Sequence, residues 1–463
     1  MRIFSKHWLL IIITIFLIFL RFYQIPDRFI FDIDVQYQAL LAWEHVKNFH
    51  PIWIGVSASN LGYYLGPGIV YVTAMLLKIS NGDPIILGYF ASLIGVSTSI
   101  LFFFILKKLF NYKVAIIGLI LNTFSYFVVF YDRHYWPFAI PLISLLIYFS
   151  LVSSWKNKNW LYLGIFLMAL SHHIHMSLFI FWPFYLINIF LLKKRLNLKN
   201  YLVGGAIYLC VISPLIVFDF NHNFDNLLFP IRYLLNYNPG TGSGLPTLSF
   251  LSNITSSFIS FRSNGTVLGL FLIFFILAFS FYKLKNFRNI NIAERYLLLV
   301  LAALISIIAV YPGPLQEYYE VILVPFLFMA FSLFLSNLNK VFLSLLLLFF
   351  VFQNINYFFR DSYVGLSEKR EIILNIKNEI GNEPFYLDFN SDRDFEGWRY
   401  LFQAYGITPS YSKSDEMFGW IYNKEDKEAP KILIYISNNL KISNNEGVKE
   451  IKTKNFKAEI TSL

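Results

Sequence analysis

The sequence predicts an all-α polytopic membrane protein of about 11 transmembrane helices. Interfacial helices in its first outer loop and a small C-terminal extracytoplasmic α/β domain complete the fold class. Three observations support this. Of 463 residues, 57% are hydrophobic and only 14% charged. Apolar runs of about 15–23 residues, enough or nearly enough to cross hydrocarbon, recur along the chain. The loops between them alternate in sign, basic then acidic, as the positive-inside rule requires of successive crossings.

Taken in order, Met1–His7 carries Arg2 and Lys6 before the apolar run Trp8–Leu20. No small-residue cleavage site follows, so this reads as an uncleaved first membrane helix rather than a signal peptide. Apolar spans are expected near 8–25, 84–106, 114–131, 138–154, 160–176, 177–192, 201–218, 266–282, 294–311, 318–335 and 341–358. Lys107, Lys108 and Lys113, then Lys156 and Lys158, then Lys193, Lys194, Arg195 and Lys199, then Lys283, Lys285 and Arg288, and finally Lys340 mark cytoplasmic loops. Asp132, Asp219, Asp225, Glu317 and Glu320 fall in the loops between. The apolar stretch at 64–80 fits this alternation only if it does not cross. It is therefore expected to lie along the outer interface.

The predicted organisation is a transmembrane domain at 1–360, with outer loops at about 26–83 and 219–265, and an extracytoplasmic domain at 361–463. Glycines and prolines over 238–246 mark a turn-rich stretch in the second loop. Beyond 360, helices are expected at 368–380 and 396–405 and strands at 384–389 and 431–436. The net charge of +10 is spread over loops as topology signals, so nucleic acid is not the implied partner. A single cysteine, Cys210, excludes a disulfide framework.

Chemistry gathers at the outer helix ends. Asp32 and Asp34 stand two apart just past the first apolar span, where a carboxylate is costly enough to suggest function. They suit a general base, a metal ligand or a counter-charge; a helix N-cap is the structural alternative. Asn60–Gly68, with Tyr63 and Tyr64, opens the interfacial helix. Arg133 and His134 suit a phosphate, or else pairing with Asp132 or interfacial anchoring. His172 and His175, three apart on one expected helical face, suit a metal or hydrogen bonds. Glu317 and Glu320, with Tyr318 between them, suit substrate contact or interfacial solvation.

Several segments resemble the membrane glycosyltransferases of the C-type fold, specifically family 39 and its bacterial relatives: protein mannosyltransferases, aminoarabinose transferases and Rgt-like enzymes. Phe31-Asp32-Ile33-Asp34 resembles the bacterial Phe-Asp-x-Asp variant, which places Asp34 on the catalytic acid. Leu65-Gly66-Pro67-Gly68-Ile69-Val70-Tyr71, Asn81-Gly82-Asp83-Pro84 and Lys107-Lys108-Leu109-Phe110 are similar to family segments in the same order. Asp132–Pro137 and His175 match further motifs. Val35 stands where the family carries a second acid or amide, which implies Asp32 in that role. The lysine that some relatives carry before the interfacial proline is missing.

The resemblance implies sugar transfer from a polyprenyl-phosphate donor to an envelope acceptor (lipid, glycan or protein) on the outer face of the cell membrane, with inversion. The N-terminus would be cytoplasmic and the C-terminal domain extracytoplasmic. Asp34 would be the base, with Asp32 as helper or metal ligand; a divalent metal is possible, with Asp32 and Asp34 as ligands. Arg133, His134, His175, Tyr63, Tyr64, Glu317 and Tyr318 would contact substrate. The alternative is a flippase of lipid-linked saccharides, which would favour internal repeats and broken helices.

Overall fold

A computed structural model describes residues 2–57, 63–236, 290–310, 317–360, 364–390, 396–422, 428–438 and 448–463. The expected span at 266–282 and the glycine-rich stretch at 238–246 lie outside these.

Helices dominate. In chain order they are α1 (Arg2–Phe22), α2 (Ile25–Arg28), α3 (Ile33–Lys47), α4 (Gly68–Ile79), α5 (Ile85–Leu109), α6 (Tyr112–Phe124), α7 (Tyr126–Tyr131), α8 (Ile140–Ser153) and α9 (Asn159–Ser171). Then follow α10 (Phe181–Leu191), α11 (Leu198–Phe220), α12 (Asp225–Asn236), α13 (Ile292–Val310), α14 (Val324–Leu335) and α15 (Lys340–Arg360). Among the described helices, α5, α11 and α15 are long and apolar enough on their own to cross a membrane. At 23 residues, α11 is about 35 Å long, longer than the roughly 30 Å of hydrocarbon. By contrast α4, at 12 residues, reaches only about 18 Å, the same length as α14.

Among the other expected spans, the 114–131 run is broken within itself and the 160–176 run before its end. The 114–131 run divides at Ser125, which has extended backbone and caps α7 with its hydroxyl. The break orphans carbonyls at the end of α6 and N–H groups at the start of α7. Arg21, at the end of α1, donates to the Thr123 carbonyl at 2.7 Å and the Asn122 carbonyl at 2.9 Å. The Asn354 side-chain oxygen accepts from the Tyr126 N–H at 2.8 Å. Arg21 also donates to Asp132 Oδ2 at 2.9 Å, so a fully buried guanidinium at a helix C-terminus has a carboxylate beside it. The outer turn between the fifth and sixth expected spans sits at His172–His175, earlier than expected, with 3₁₀ helix Met176–Ile180 leading into α10.

The C-terminal part contains α16 (Leu366–Ile380), α17 (Trp398–Ala404), α18 (Asp415–Phe418) and five strands. These are β1 (Phe385–Phe389), β2 (Tyr411–Ser412), β3 (Ile432–Ser437), β4 (Lys449–Lys452) and β5 (Lys457–Ser462), in sheet order β2-β1-β3-β5-β4. β2, β1 and β3 run parallel, and β5 and β4 add an antiparallel edge. Both expected helices and strands are present. The β4–β5 hairpin was not expected, because its Lys- and Glu-rich sequence lacks an apolar alternation, although Lys457, Ala458 and Ile460 are buried.

There are two apolar cores. One fills the bundle around Phe102, Ile117, Tyr148, Val300 and Phe326. The other runs continuously from the first loop (Ile25, Phe31, Val35, Leu77) into the C-terminal part (Ile372, Leu387, Tyr400, Ile434). The loop and the last hundred residues therefore share one interior.

Candidate active site in the first loop

Asp32 begins α3. Its extended backbone and a carboxylate accepting from the Val35 N–H at 2.9 Å make it the N-cap. Asp34 lies in the first turn of that helix, half-buried, where the helix dipole favours a negative charge. Of the two acids, Asp32 takes the capping role and Asp34 sits within the first turn of the helix.

The residues around this pair are tied down from the C-terminal side. Phe31 is fully buried and stacks on Tyr400 at 5.8 Å. Its carbonyl accepts from Lys369 Nζ at 2.8 Å, and that lysine is itself fully buried. The Phe29 carbonyl accepts from the Leu366 N–H at 2.9 Å. Gln36 Oε1 accepts from the Tyr400 N–H at 3.1 Å, and the Tyr400 hydroxyl donates to the Gly82 carbonyl at 2.8 Å. Gly82 stands at φ 88 in the turn before α5, where a side chain is strained. Tyr37 packs against Phe418 at 5.0 Å, and burial pushes its phenol up to about 12. It is therefore a neutral hydrogen-bonding group, not a base.

A second wall comes from the Gly-Pro-Gly segment. The Gly66 N–H donates to the His172 carbonyl at 2.8 Å, and the Gly68 N–H donates to His173 Nδ1 at 3.1 Å. His173 Nε2 bonds to the Val211 carbonyl at 2.9 Å, so the proton is assigned to Nε2. A Cβ at Gly66 would lie 2.3 Å from that imidazole, and one at Gly68 3.0 Å from the His173 Cβ. Both glycines are there so that His173 can seat against backbone.

Next to this, Asn226 grips the main chain of Tyr64: its Oδ1 accepts from the N–H at 2.6 Å and its amide donates to the carbonyl at 3.1 Å. Asp219, fully buried, holds Asn226 and Leu227 by their backbone N–H groups at 3.1 and 2.8 Å. Tyr63 is buried against Phe229 at 5.9 Å. Tyr63 and Tyr64 thus join the first loop to the start of the second. Residues 58–62, including Asn60, lie outside the described residues.

The third wall is the Asp132–Pro137 turn. Tyr135 shares a 2.8 Å hydrogen bond with Thr73 of α4, and Thr73 reaches Gln38 at 3.4 Å. Gln38 is four residues from Asp34, so this polar node lies about one helical turn from the carboxylate. Arg133 is 1% exposed with its guanidinium 4.9 Å from the Phe358 ring centre, which excludes an interfacial anchor. Asp132 makes its 2.9 Å ion pair with Arg21, and the Arg133 charge also bears on that carboxylate. Arg28, which the sequence reading missed, flanks the same ring at 4.5 Å and donates to the Phe358 carbonyl at 2.9 Å. An arginine just past a first span reads as a topology charge, so nothing local marked it.

The histidines correct one expectation. Because α9 ends at Ser171, His172 and His175 do not share a helical face. His172 Nε2 meets the Tyr208 hydroxyl at 2.9 Å. His175 caps the following 3₁₀ turn through Ser177 and lies 5.8 Å from the Trp136 ring. His134 stacks at 4.4 Å on Phe130. Glu317 and Tyr318 fall in the 3₁₀ turn Glu317–Ile322, where Glu320 is buried. Among the described residues no three His, Cys, Asp or Glu side chains gather to hold a metal, so Asp32 and Asp34 gain no third ligand there.

No family description and no curated protein matches the sequence. Solved structures do match. ArnT from Cupriavidus metallidurans bound to undecaprenyl phosphate superposes with a TM-score of 0.63 at 10% identity, over 98% of both chains. The Archaeoglobus fulgidus oligosaccharyltransferase with Zn and sulfate gives 0.55 at 15% identity, over 92% of this chain and 67% of that one. AglB from the same organism, with an inhibitory peptide and a dolichol phosphate, gives 0.53 at 14% identity, over 93% and 70%. The whole chain, C-terminal sheet included, therefore has the C-type fold of membrane glycosyltransferases.

Proposed function

We propose that the protein moves a sugar from a polyprenyl-phosphate carrier to an envelope acceptor on the outer face of the cell membrane, with Asp34 as base. The observation that carries this reading is the half-buried Asp34 carboxylate, at a helix N-terminus, inside a loop anchored on three sides. The fold shared with ArnT supports it, since that protein was solved with undecaprenyl phosphate.

An acceptor hydroxyl attacks the anomeric carbon while Asp34 takes its proton. The carbon–oxygen bond to phosphate breaks, its electron pair leaves with the lipid phosphate, and attack from the opposite face inverts the centre. The leaving phosphate is already a weak base and needs no proton, but its growing charge gains from nearby cations. Arg133, with Arg28 near the same Phe358 ring, supplies positive charge from a dry setting. Asp32 acts through geometry, fixing the first turn of α3. No step is drawn through a metal, because the described residues provide no third ligand.

The orientation follows the loop charges, with the N-terminus cytoplasmic and the C-terminal part outside. The shared core of the first loop and the C-terminal part supports placing both on one side. The test is transfer from a polyprenyl-phosphate sugar by purified protein. Asp34→Asn keeps size and polarity but removes the basic oxygen, so turnover should fall by about 10²–10⁴-fold while donor binding persists. Near-normal turnover would remove Asp34 from the reaction.

A further inference from the structure

Helices α9, α10 and α11 enclose a groove of about 260 Å³. That is far more than the roughly 30 Å³ share of one water. Its walls, including Ile165, Leu186 and Ile189, are almost wholly apolar. It opens sideways, flanked by apolar side chains that point away from the bundle, such as Leu186 and Leu202 at 58% and 64% exposure. Two glycines make the space: a Cβ at Gly204 would meet Ile165 Cδ1 at 2.8 Å, whereas one at Gly205 would meet nothing within 4 Å.

One polar cluster lies at the end where α9 and α11 both begin, while Tyr208, further along, bonds to His172. Asn200 donates to the Tyr162 hydroxyl at 2.6 Å and accepts from Lys158 Nζ at 3.4 Å. The Tyr162 hydroxyl accepts there and keeps its own proton to donate. Lys156, Lys193, Lys194, Arg195 and Lys199 stand exposed at the same end, and no Asp or Glu occurs anywhere from 133 to 218. A groove lined with hydrocarbon, open to the side and headed by basic residues is complementary to a lipid with an anionic head.

We propose that this groove binds an anionic phospholipid of the cytoplasmic leaflet, its phosphate at Lys158 and Tyr162 and an acyl chain along Ile165, Leu186 and Gly205. The leaflet rests on the orientation proposed above. Native mass spectrometry of the full chain, purified in mild detergent with phosphatidylglycerol or phosphatidylcholine of matched chains, tests it. Wild type should retain phosphatidylglycerol by roughly fivefold over phosphatidylcholine, the worth of one basic side chain at an anionic surface. Lys158→Gln should abolish that preference. Gly205→Phe should lose both lipids while melting like wild type, because its ring enters open space; Leu202→Phe, on the outward face, should retain them.

Equal retention of the two lipids by wild type would overturn the proposal. So would a Gly205→Phe protein that still holds phosphatidylglycerol. Displacement of phosphatidylglycerol by undecaprenyl phosphate at this site would give the groove to the donor and overturn it equally. Labelling of Lys158→Cys in a Cys210→Ser background by an impermeant thiol reagent separates the premises. Labelling from outside overturns the orientation and the leaflet together, whereas labelling from inside with no lipid preference overturns the lipid site alone.

Discussion

Replacing Gly66 by alanine adds one carbon, and the structure says where it goes: 2.3 Å from the His173 imidazole, inside any permissible contact. The ring cannot retreat without losing the bonds that hold it to the Gly68 N–H and the Val211 carbonyl. Overpacking costs about 1–3 kcal/mol and each lost hydrogen bond about 0.5–1.5. Gly66→Ala should therefore destabilise by about 2–6 kcal/mol. Gly205→Ala, in open space within a helix, should be neutral or gain up to about 1 kcal/mol. Denaturant unfolding in micelles reads both. A double-mutant cycle sharpens the test, because His173→Ala removes the obstacle and Gly66→Ala should then cost much less. Strict additivity, or a Gly66→Ala protein within about 0.5 kcal/mol of wild type, would refute the idea that these glycines exist to seat His173.

Four further outcomes are expected. Asp32→Ala removes a helix cap and should cost about 1 kcal/mol of stability with a smaller turnover loss than Asp34→Asn, measured side by side. Arg133→Ala should raise the donor requirement roughly ten- to hundredfold, the scale of a charged hydrogen bond. Arg232→Ala, which breaks only an exposed pair with Asp225, should do little by the same donor titration. Lys369→Met should release the Phe31 carbonyl and loosen α3, seen as faster proteolysis of the first loop and lower turnover. Cysteines at Ser57 and Asp83, in a Cys210→Ser background, should label from the same face of the membrane; opposite faces would mean that α4 crosses.

Much of this was legible because it was local. The cap at Asp32, the short helix α4 and the strands at 385–389 and 432–437 follow from residue types at fixed spacing. The Gly-Pro-Gly segment could be picked out, but not its reason, since His173 lies 105 residues away. The histidine pair misled because apolar periodicity ran on through 172–176. What ends α9 is a turn whose His172 carbonyl is taken by Gly66, a tertiary partner invisible to spacing. Arg21 and Arg28 looked like ordinary charges beside a first span. Burial turned the first into a plug for a broken helix and the second into a neighbour of Arg133.

The joint between the first loop and the C-terminal part also bears on how the protein is made. Lys369 meets the Phe31 carbonyl across 338 residues of chain. At about 5–20 residues per second, a ribosome needs roughly 17–70 s to cover that distance. Through that interval Phe29, Phe31 and Val35 lack the partners that bury them, and α3 has no clamp. The proposed base is thus assembled only when synthesis of the last hundred residues catches up. A nascent or truncated chain would present an unfinished loop to quality-control proteases, and it would hold no competent site with which to consume lipid-linked sugar.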